Sequence, residues 1–257
     1  MALGDGRLEQ LHGSMSVYCR LICTSQHSII GDQHRHGLRC AERFCETLLD
    51  TDFFDFAVNP WTSGWSNGVR PIHYRELAEL GLQVPAYLVT NDAERARSFI
   101  TEYGEVIVKS TSHHRTIARR FAPEMYEKLE LLAYSPAVFQ QAILGPDVRI
   151  HVVGSECHSL GIETQADDYR YPRGQRVRFF KVTPPKAISA LCIAATGHFG
   201  LHFSGIDFKV CARTGKWYCL EVNPMPGYSG YDRKLSGAIS AALVRLLEAG
   251  TAQEVRD

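Results

Sequence analysis

Three β-rich runs, Ala137 to Ile143, Asp147 to Val153 and Cys157 to Glu163, follow one another with no helix-length segment between them. Parallel pairing would need a crossover of about a dozen residues or more, so the order favours antiparallel hairpins. Gly154-Ser155-Glu156 is a turn that makes the last two runs a hairpin. Ser204 to Cys211 and Trp217 to Val222 form another, around Arg213-Thr214-Gly215-Lys216, and Arg176 to Val182 alternates as a strand does. Helical patterns are interspersed. Pro71 to Leu80 has proline in its first turn and Gly81 as its stop. A helix capped by Thr90-Asn91-Asp92 runs to Tyr103 and ends at Gly104. Pro123 to Ala133, Pro184 to Phe199 and Leu235 to Glu248 are further helices, while Val84 to Val89 and Glu105 to Lys109 are strands. Hairpins mixed with helices predict an α+β fold and argue against a doubly wound sheet.

Composition narrows the function classes. Lys plus Arg total 28 and Asp plus Glu total 28, so no net basic field favours nucleic acid or an anionic membrane. No apolar run reaches about 18 residues, the length of a membrane span. Met1 to Ser14 has no apolar core of a secretory signal, which makes the cytoplasm the expected compartment. Eight cysteines read as reduced thiols. The set Cys19, Cys23, His34, His36, Cys40 and Cys45 matches no strong zinc spacing. Leu38 to Leu49 has the apolar spacing of one helix face, and Asp55 to Val58 reads as a short strand.

Chemistry concentrates in the second half. Glu221 and Asn223 lie two apart on a strand, so their side chains share one face. Asp207 is on the preceding strand. With an odd-numbered connecting loop it sits opposite Glu221 on that face, and two carboxylates with an amide oxygen form a hard oxygen site suited to Mg²⁺. The plainer alternative is a half-exposed hairpin with its polar residues in water. Lys109 leaves an apolar strand and is placed to meet a phosphate as a point charge, or else is a solvent-facing strand-end lysine. Arg149 alternates with Ile150; beside a polyanion it would neutralise charge, and otherwise it is an exposed strand arginine.

From about Asn59 to Gly250 the chain resembles the ATP-grasp superfamily, and is most similar to RimK-like and peptide-tailoring ligases. Asn59-Pro60, Arg70-Pro71, Gly81-Leu82-Gln83-Val84-Pro85 and Thr90-Asn91-Asp92 resemble the family's opening. Val106-Ile107-Val108-Lys109 resembles its phosphate-binding strand, and Phe139-Gln140-Gln141-Ala142-Ile143 its adenine hinge, with Asp147-Val148-Arg149 the strand that follows. Asp168-Tyr169-Arg170 resembles a motif facing the acceptor. Gly205-Ile206-Asp207 and Glu221-Val222-Asn223-Pro224-Met225-Pro226-Gly227 resemble the metal-binding end. After Lys109, where relatives carry a glycine-rich loop, this chain has Ser110-Thr111-Ser112-His113-His114-Arg115.

The resemblance implies an ATP-grasp fold. Residues 59–250 would form two α+β subdomains clasping ATP, a nucleotide-clasping one over about 84–143 and a metal-binding one over about 144–250. A short N-terminal α/β remnant (1–58) would precede them and a tail (251–257) follow. It implies Lys109 on the α- and β-phosphates, nucleotide contacts from Gln140, Gln141, Ile143 and Asp147, and Mg²⁺, with Mn²⁺ as an alternative ion, on Asp207, Glu221 and Asn223. Arg149 would clamp the transferred phosphoryl group and Arg170 a substrate carboxylate. The implied activity is ATP- and Mg²⁺-dependent carboxylate–amine ligation through an acyl phosphate, on a small-molecule carboxylate and an amine or peptide. A homodimer is among the assemblies to expect. The alternative is a degenerate ATP-grasp protein that binds nucleotide or a partner without ligating.

Overall fold

A computed structural model describes residues 15–20, 32–111, 118–166, 169 and 174–252. The chain divides into two units, Met1–Thr62 with Ser240–Asp257, and Ser63–Ile239. In the first, β1 (Ser16–Tyr18) leads through α1 (Asp32–Leu49) to β2 (Phe56–Val58), and the two strands pair in parallel. This is a small α/β element with Val58 fully buried.

The second unit opens with α2 (Arg70–Glu79) and continues through β3 (Tyr87–Thr90), α3 (Ala93–Tyr103), β4 (Val106–Ser110) and β5 (Arg119–Arg120). A 3₁₀ helix (Pro123–Tyr134) and β6 (Ala137–Gln141) follow. These strands form an antiparallel sheet in the order β3-β6-β4-β5. Asp92 caps α3 by accepting from the amides of Glu94 and Arg95, and Gly104 ends it at φ 68°. The helix expected over Pro123–Ala133 is 3₁₀ instead. Its apolar residues Tyr126, Leu129 and Leu132 recur every third position, and a three-residue turn aligns them on one side, where Leu129 and Leu132 are buried. They join Phe99, Ile100, Val106 and Phe139 in the core of this sheet.

The chain then builds β7 (Asp147–Val153), β8 (Glu156–Glu163), β9 (Arg178–Lys181), α4 (Lys186–His198), β10 (Phe203–Val210) and β11 (Trp217–Asn223). The five strands make a second antiparallel sheet, β11-β10-β7-β8-β9. α5 (Ser229–Lys234) and α6 (Ala238–Ala252) end the described chain. The helix expected over Leu235 to Glu248 begins at Ala238; Ser236 and Gly237, both at positive φ, separate it from α5, which was not expected. No helix among the described residues is long and apolar enough to cross a membrane.

Alternation divides the larger sheet. Val148, Ile150 and Val152 of β7 and Ile206 and Phe208 of β10 are buried with Leu77, Cys192 and Ala195 of α2 and α4. Full burial contributes about 1.5–3 kcal/mol for each large aliphatic or aromatic side chain. The intervening residues, Asp147, Arg149 and His151 with Gly205, Asp207 and Lys209, occupy the opposite face.

His151 is 0% exposed on that face. Its Nε2 lies 3.3 Å from the Gly227 carbonyl, its Nδ1 is buried without a partner among the described residues, and its ring packs on Tyr231 and Phe203. Burial first, and then the Arg149 charge, hold its pKa well below the ordinary value, against a smaller opposing effect of the Gly227 carbonyl. The folded state therefore keeps His151 neutral while the unfolded chain takes up a proton below about pH 6.5, so stability is present above that pH and lost below it, by at most about 1.4 kcal/mol per pH unit. Urea denaturation of wild type and His151→Gln should converge in stability as pH falls from about 7.5 to about 5.5; parallel pH profiles would refute a neutral buried imidazole.

Candidate functional site

The acidic end of the site depends on a register change in β11. Val210 pairs with Trp217 and Phe208 with Cys219, but Asp207 pairs with Glu221 and Gly205 with Asn223. Leu220 is the extra residue of a β-bulge. Uninterrupted alternation from the buried Cys219 would send Glu221 into the core. The bulge instead buries Val222, three residues on, and turns Glu221 and Asn223 onto the Asp207 face. The loop between the strands, residues 211–216, has an even number of residues, so the bulge supplies the parity that the sequence argument sought in the loop.

β7 brings Arg149 opposite Asp207, and the guanidinium binds the Asp207 carboxylate at 2.7 Å. Arg149 is 5% exposed. Burial alone would lower its pKa, but Asp207, with Tyr169, Tyr231 and Glu221, more than offsets this and the pKa is raised. Gly205 must lack a side chain, since a Cβ there would collide with this guanidinium. Tyr169 donates to the other Asp207 oxygen at 3.4 Å and accepts from Tyr231 at 2.9 Å. Burial, and then the Asp207 charge, raise the Tyr169 pKa, so the phenol keeps its proton.

From the smaller sheet, β4 and β6 pair Ile107 with Gln140 and Lys109 with Val138 on one face. The Lys109 ammonium donates to Gln140 Oε1 at 2.6 Å and lies 3.5 Å from the Tyr74 hydroxyl on α2. Because Oε1 accepts from lysine, the amide orientation of Gln140 follows, and its buried Nε2 is a donor with no partner among the described residues.

Between the sheets, residues 142–146 are fastened to the β10–β11 hairpin. Ala212 N donates to Leu144 O at 2.8 Å, Val210 N to Pro146 O at 3.0 Å, and Lys209 Nζ to Gly145 O at 3.2 Å and Asp147 at 2.9 Å. Gly145, at φ 146°, lies so close that a Cβ would strike the Val210 carbonyl. The amides of Gln141 and Ala142 are engaged by Ala86 O and Glu105 O, while Ile143, outside the strands, has no hydrogen bond among the described residues.

A cleft of about 370 Å³ runs between the sheets. Lys109, Gln140, Gln141, Ile143, Asp147, Asp207 and Glu221 all line it. Arg149 lies behind Asp207. Asn223 lies two register pairs along from Glu221, its Oδ1 accepting from Met225 N at 2.8 Å. Arg170 is outside the described residues. Among the described residues no group of three or more His, Cys, Asp or Glu side chains is gathered to hold a metal; the expected set has two acids and an amide.

Several lining residues were missed from sequence. Arg70, buried at the start of α2, donates to Ser110 O at 3.1 Å; nothing local marks it. Lys209 was signalled by its alternation with Asp207, and Tyr169 lay inside a motif read for its arginine. Ile107, Ile143, Leu144 and Leu220 give the cleft an apolar patch, bounded by the cations Arg70, Lys109, Arg120 and Lys209 and by the acids at the far end. An apolar cleft of this size with convergent polar groups, and an orphan amide donor at Gln140, suits a nucleotide.

Residues 73–247 match the RimK-like ATP-grasp domain. No curated protein matches the sequence. The ATP-grasp ligase PsnB, solved with a phosphomimetic variant of minimal precursor, Mg and ADP, is similar with a TM-score of 0.72 at 25% identity, over 90% of this chain and 79% of that one. The RiPP-associated ATP-grasp ligase of Chryseobacterium gregarium, in complex with ADP and a leader and core peptide, gives 0.74 at 19%, over 91% and 76%. The macrocyclase MdnC of Microcystis aeruginosa MRC, bound with precursor peptide MdnA, gives 0.74 at 21%, over 91% and 78%. At those lower identities the likeness is one of fold. With its family match spanning most of the chain, this protein belongs to the RimK-like ATP-grasp family.

Proposed function

We propose that the chain is an ATP- and Mg²⁺-dependent carboxylate–amine ligase that joins its substrates through an acyl phosphate, with a peptide as one substrate. The observation that carries this is the convergence of Lys109 from one sheet with Asp207 and Glu221 from the other on a single cleft. Peptide complexes of PsnB and MdnC support a peptide substrate. The seven described cysteines, all free, suit a reducing cytoplasm.

In this reading the base lies on the Ile107–Ile143–Leu144 patch and meets the free backbone of Ile143, with Gln141 and the Gln140 amide beside it. Asp147 faces the sugar, and Lys109 the α- and β-phosphates. Asp207, Glu221 and Asn223 would hold Mg²⁺; the Asn223 oxygen keeps a lone pair beyond its bond to Met225. Bound there, the ion would offset charge on the phosphate oxygens. A substrate carboxylate oxygen attacks the γ-phosphorus and ADP leaves. The amine then attacks the acyl carbon, phosphate departs, and the nitrogen loses a proton. Arg149, fastened to Asp207, adds positive charge behind the carboxylate, and Arg170 is the clamp on the acceptor side.

The test is oxygen transfer. A substrate carboxylate labelled with ¹⁸O should deliver one label to phosphate in step with ADP release. ADP without labelled phosphate would exclude the acyl phosphate, and no ADP release with pooled carboxylates, amines and peptides would favour a nucleotide-binding protein that does not ligate.

Three substitutions probe the roles. Glu221→Ala should abolish metal-dependent ATP turnover with the fold intact by circular dichroism; turnover at the wild-type rate would remove Glu221 from the metal set. Lys109→Ala should weaken ATP by about 1.5–3 kcal/mol, roughly tenfold to beyond a hundredfold in calorimetric Kd. It should also lower the melting temperature, because Gln140 Oε1 loses its donor. Arg170→Lys keeps the charge and loses the planar fork, so ligation should fall at least about tenfold, or about 1.4 kcal/mol, with nucleotide affinity unchanged. Normal ligation in this variant would move the acceptor site elsewhere.

A further inference from the structure

Asp207 is held from both sides, by a guanidinium and by a phenol. Arg149 occupies Oδ2, while Oδ1 faces the Tyr169 hydroxyl. An ionised carboxylate only accepts, so Tyr169 must be the donor, and its own oxygen is then the acceptor for Tyr231. The chain of hydroxyls therefore has one direction, from α5 through Tyr169 to Asp207. Its far end is rigidly seated. The Tyr231 ring lies 4.9 Å from the His151 ring and meets Phe179 edge-on at 6.0 Å, and Lys234, on the next turn of α5, covers Phe179 at 4.5 Å. Tyr169 itself belongs to the segment between β8 and β9 and lines the cleft. Asp207 joins its hydroxyl to β10, and Tyr231 joins it to α5.

We propose that Tyr231 is a positioning residue for the metal end of the cleft: through Tyr169 it fixes the orientation in which the Asp207 carboxylate is offered to a divalent cation. This rests on the metal assignment proposed above. The Tyr231→Tyr169→Asp207 chain also ties the segment between β8 and β9 to the carboxylate, so the two tyrosines act as one unit.

Phenylalanine variants isolate the hydroxyls, because the ring contacts remain. ADP binding is measured by calorimetry with and without MgCl₂ for wild type, Tyr231→Phe, Tyr169→Phe, the double variant and Glu221→Gln, together with ligand-free melting temperatures. Partners that orient a ligating group typically change metal affinity about tenfold or more when removed. Each single variant should therefore need about tenfold more Mg²⁺ to tighten ADP, and the double variant no more than that, since either change breaks the same chain. Metal-free ADP affinity and the melting temperature should stay at wild-type values. A wild-type Mg²⁺ requirement in either single variant, or an additive defect in the double, overturns the proposal. So does a loss confined to melting temperature, which would make the pair merely structural. Glu221→Gln separates the two readings. If it leaves the Mg²⁺ effect on ADP intact, the metal assignment itself fails; if it removes the effect while Tyr231→Phe does not, only the positioning role fails.

Discussion

The buried pair of Arg149 and Asp207 is the constraint to which the cleft face of the larger sheet conforms. A guanidinium 5% exposed cannot stand uncompensated, and leaving one partner of such a pair alone costs about 3–5 kcal/mol. Several neighbours accommodate it. Pairing between β7 and β10 sets the two side by side, Gly205 leaves the space the guanidinium fills, and Tyr169 serves the oxygen that arginine does not reach. The same cation helps keep His151 neutral two residues along the strand. A structural demand and a chemical one thus coincide: the carboxylate that the cation needs for burial is the one that faces the cleft.

How much of this was legible depended on whether the signal was local. Alternation of Arg149 with Ile150 in Asp147–Val153 set the arginine on the face away from the core that holds Ile150, because period two is all a strand needs. The cap at Asp92 and the stop at Gly104 could be read from single residues. The shared face of Asp207 and Glu221 was reached by a condition on loop parity that the even-numbered loop does not satisfy; the bulge at Leu220 satisfies it instead. Burial of Cys219 and Val222 three apart is the trace of that bulge, but Leu220 between them is also apolar and hides it. The 3₁₀ helix was misread because proline followed by apolar residues suits either helix, and only the strict three-residue spacing separates them.

Contacts between distant elements were beyond sequence reading. Nothing near Lys109 indicates that Gln140 and Tyr74 will hold its ammonium, since the register of β4 against β6 and the seating of α2 decide that. Likewise His73, whose Nε2 accepts from Val222 N at 3.0 Å, closes the outer edge of β11 from a helix 149 positions away in sequence. The ordered motifs of a known family reached further than periodicity did, since they pointed to residues 140–143 and to Asp207 and Glu221, which line one cleft, without knowledge of any register.

The fastening of residues 142–146 to the β10–β11 hairpin has a consequence for how such a cleft can change. The stretch beside the proposed base site and the hairpin bearing Asp207 and Glu221 are joined by main-chain bonds from Ala212 and Val210, which no side-chain replacement removes. The gauge between the proposed base and metal ends is therefore written in backbone. On the proposed assignment, side-chain change along the remaining walls alters what the cleft accepts while the spacing of its two ends is kept.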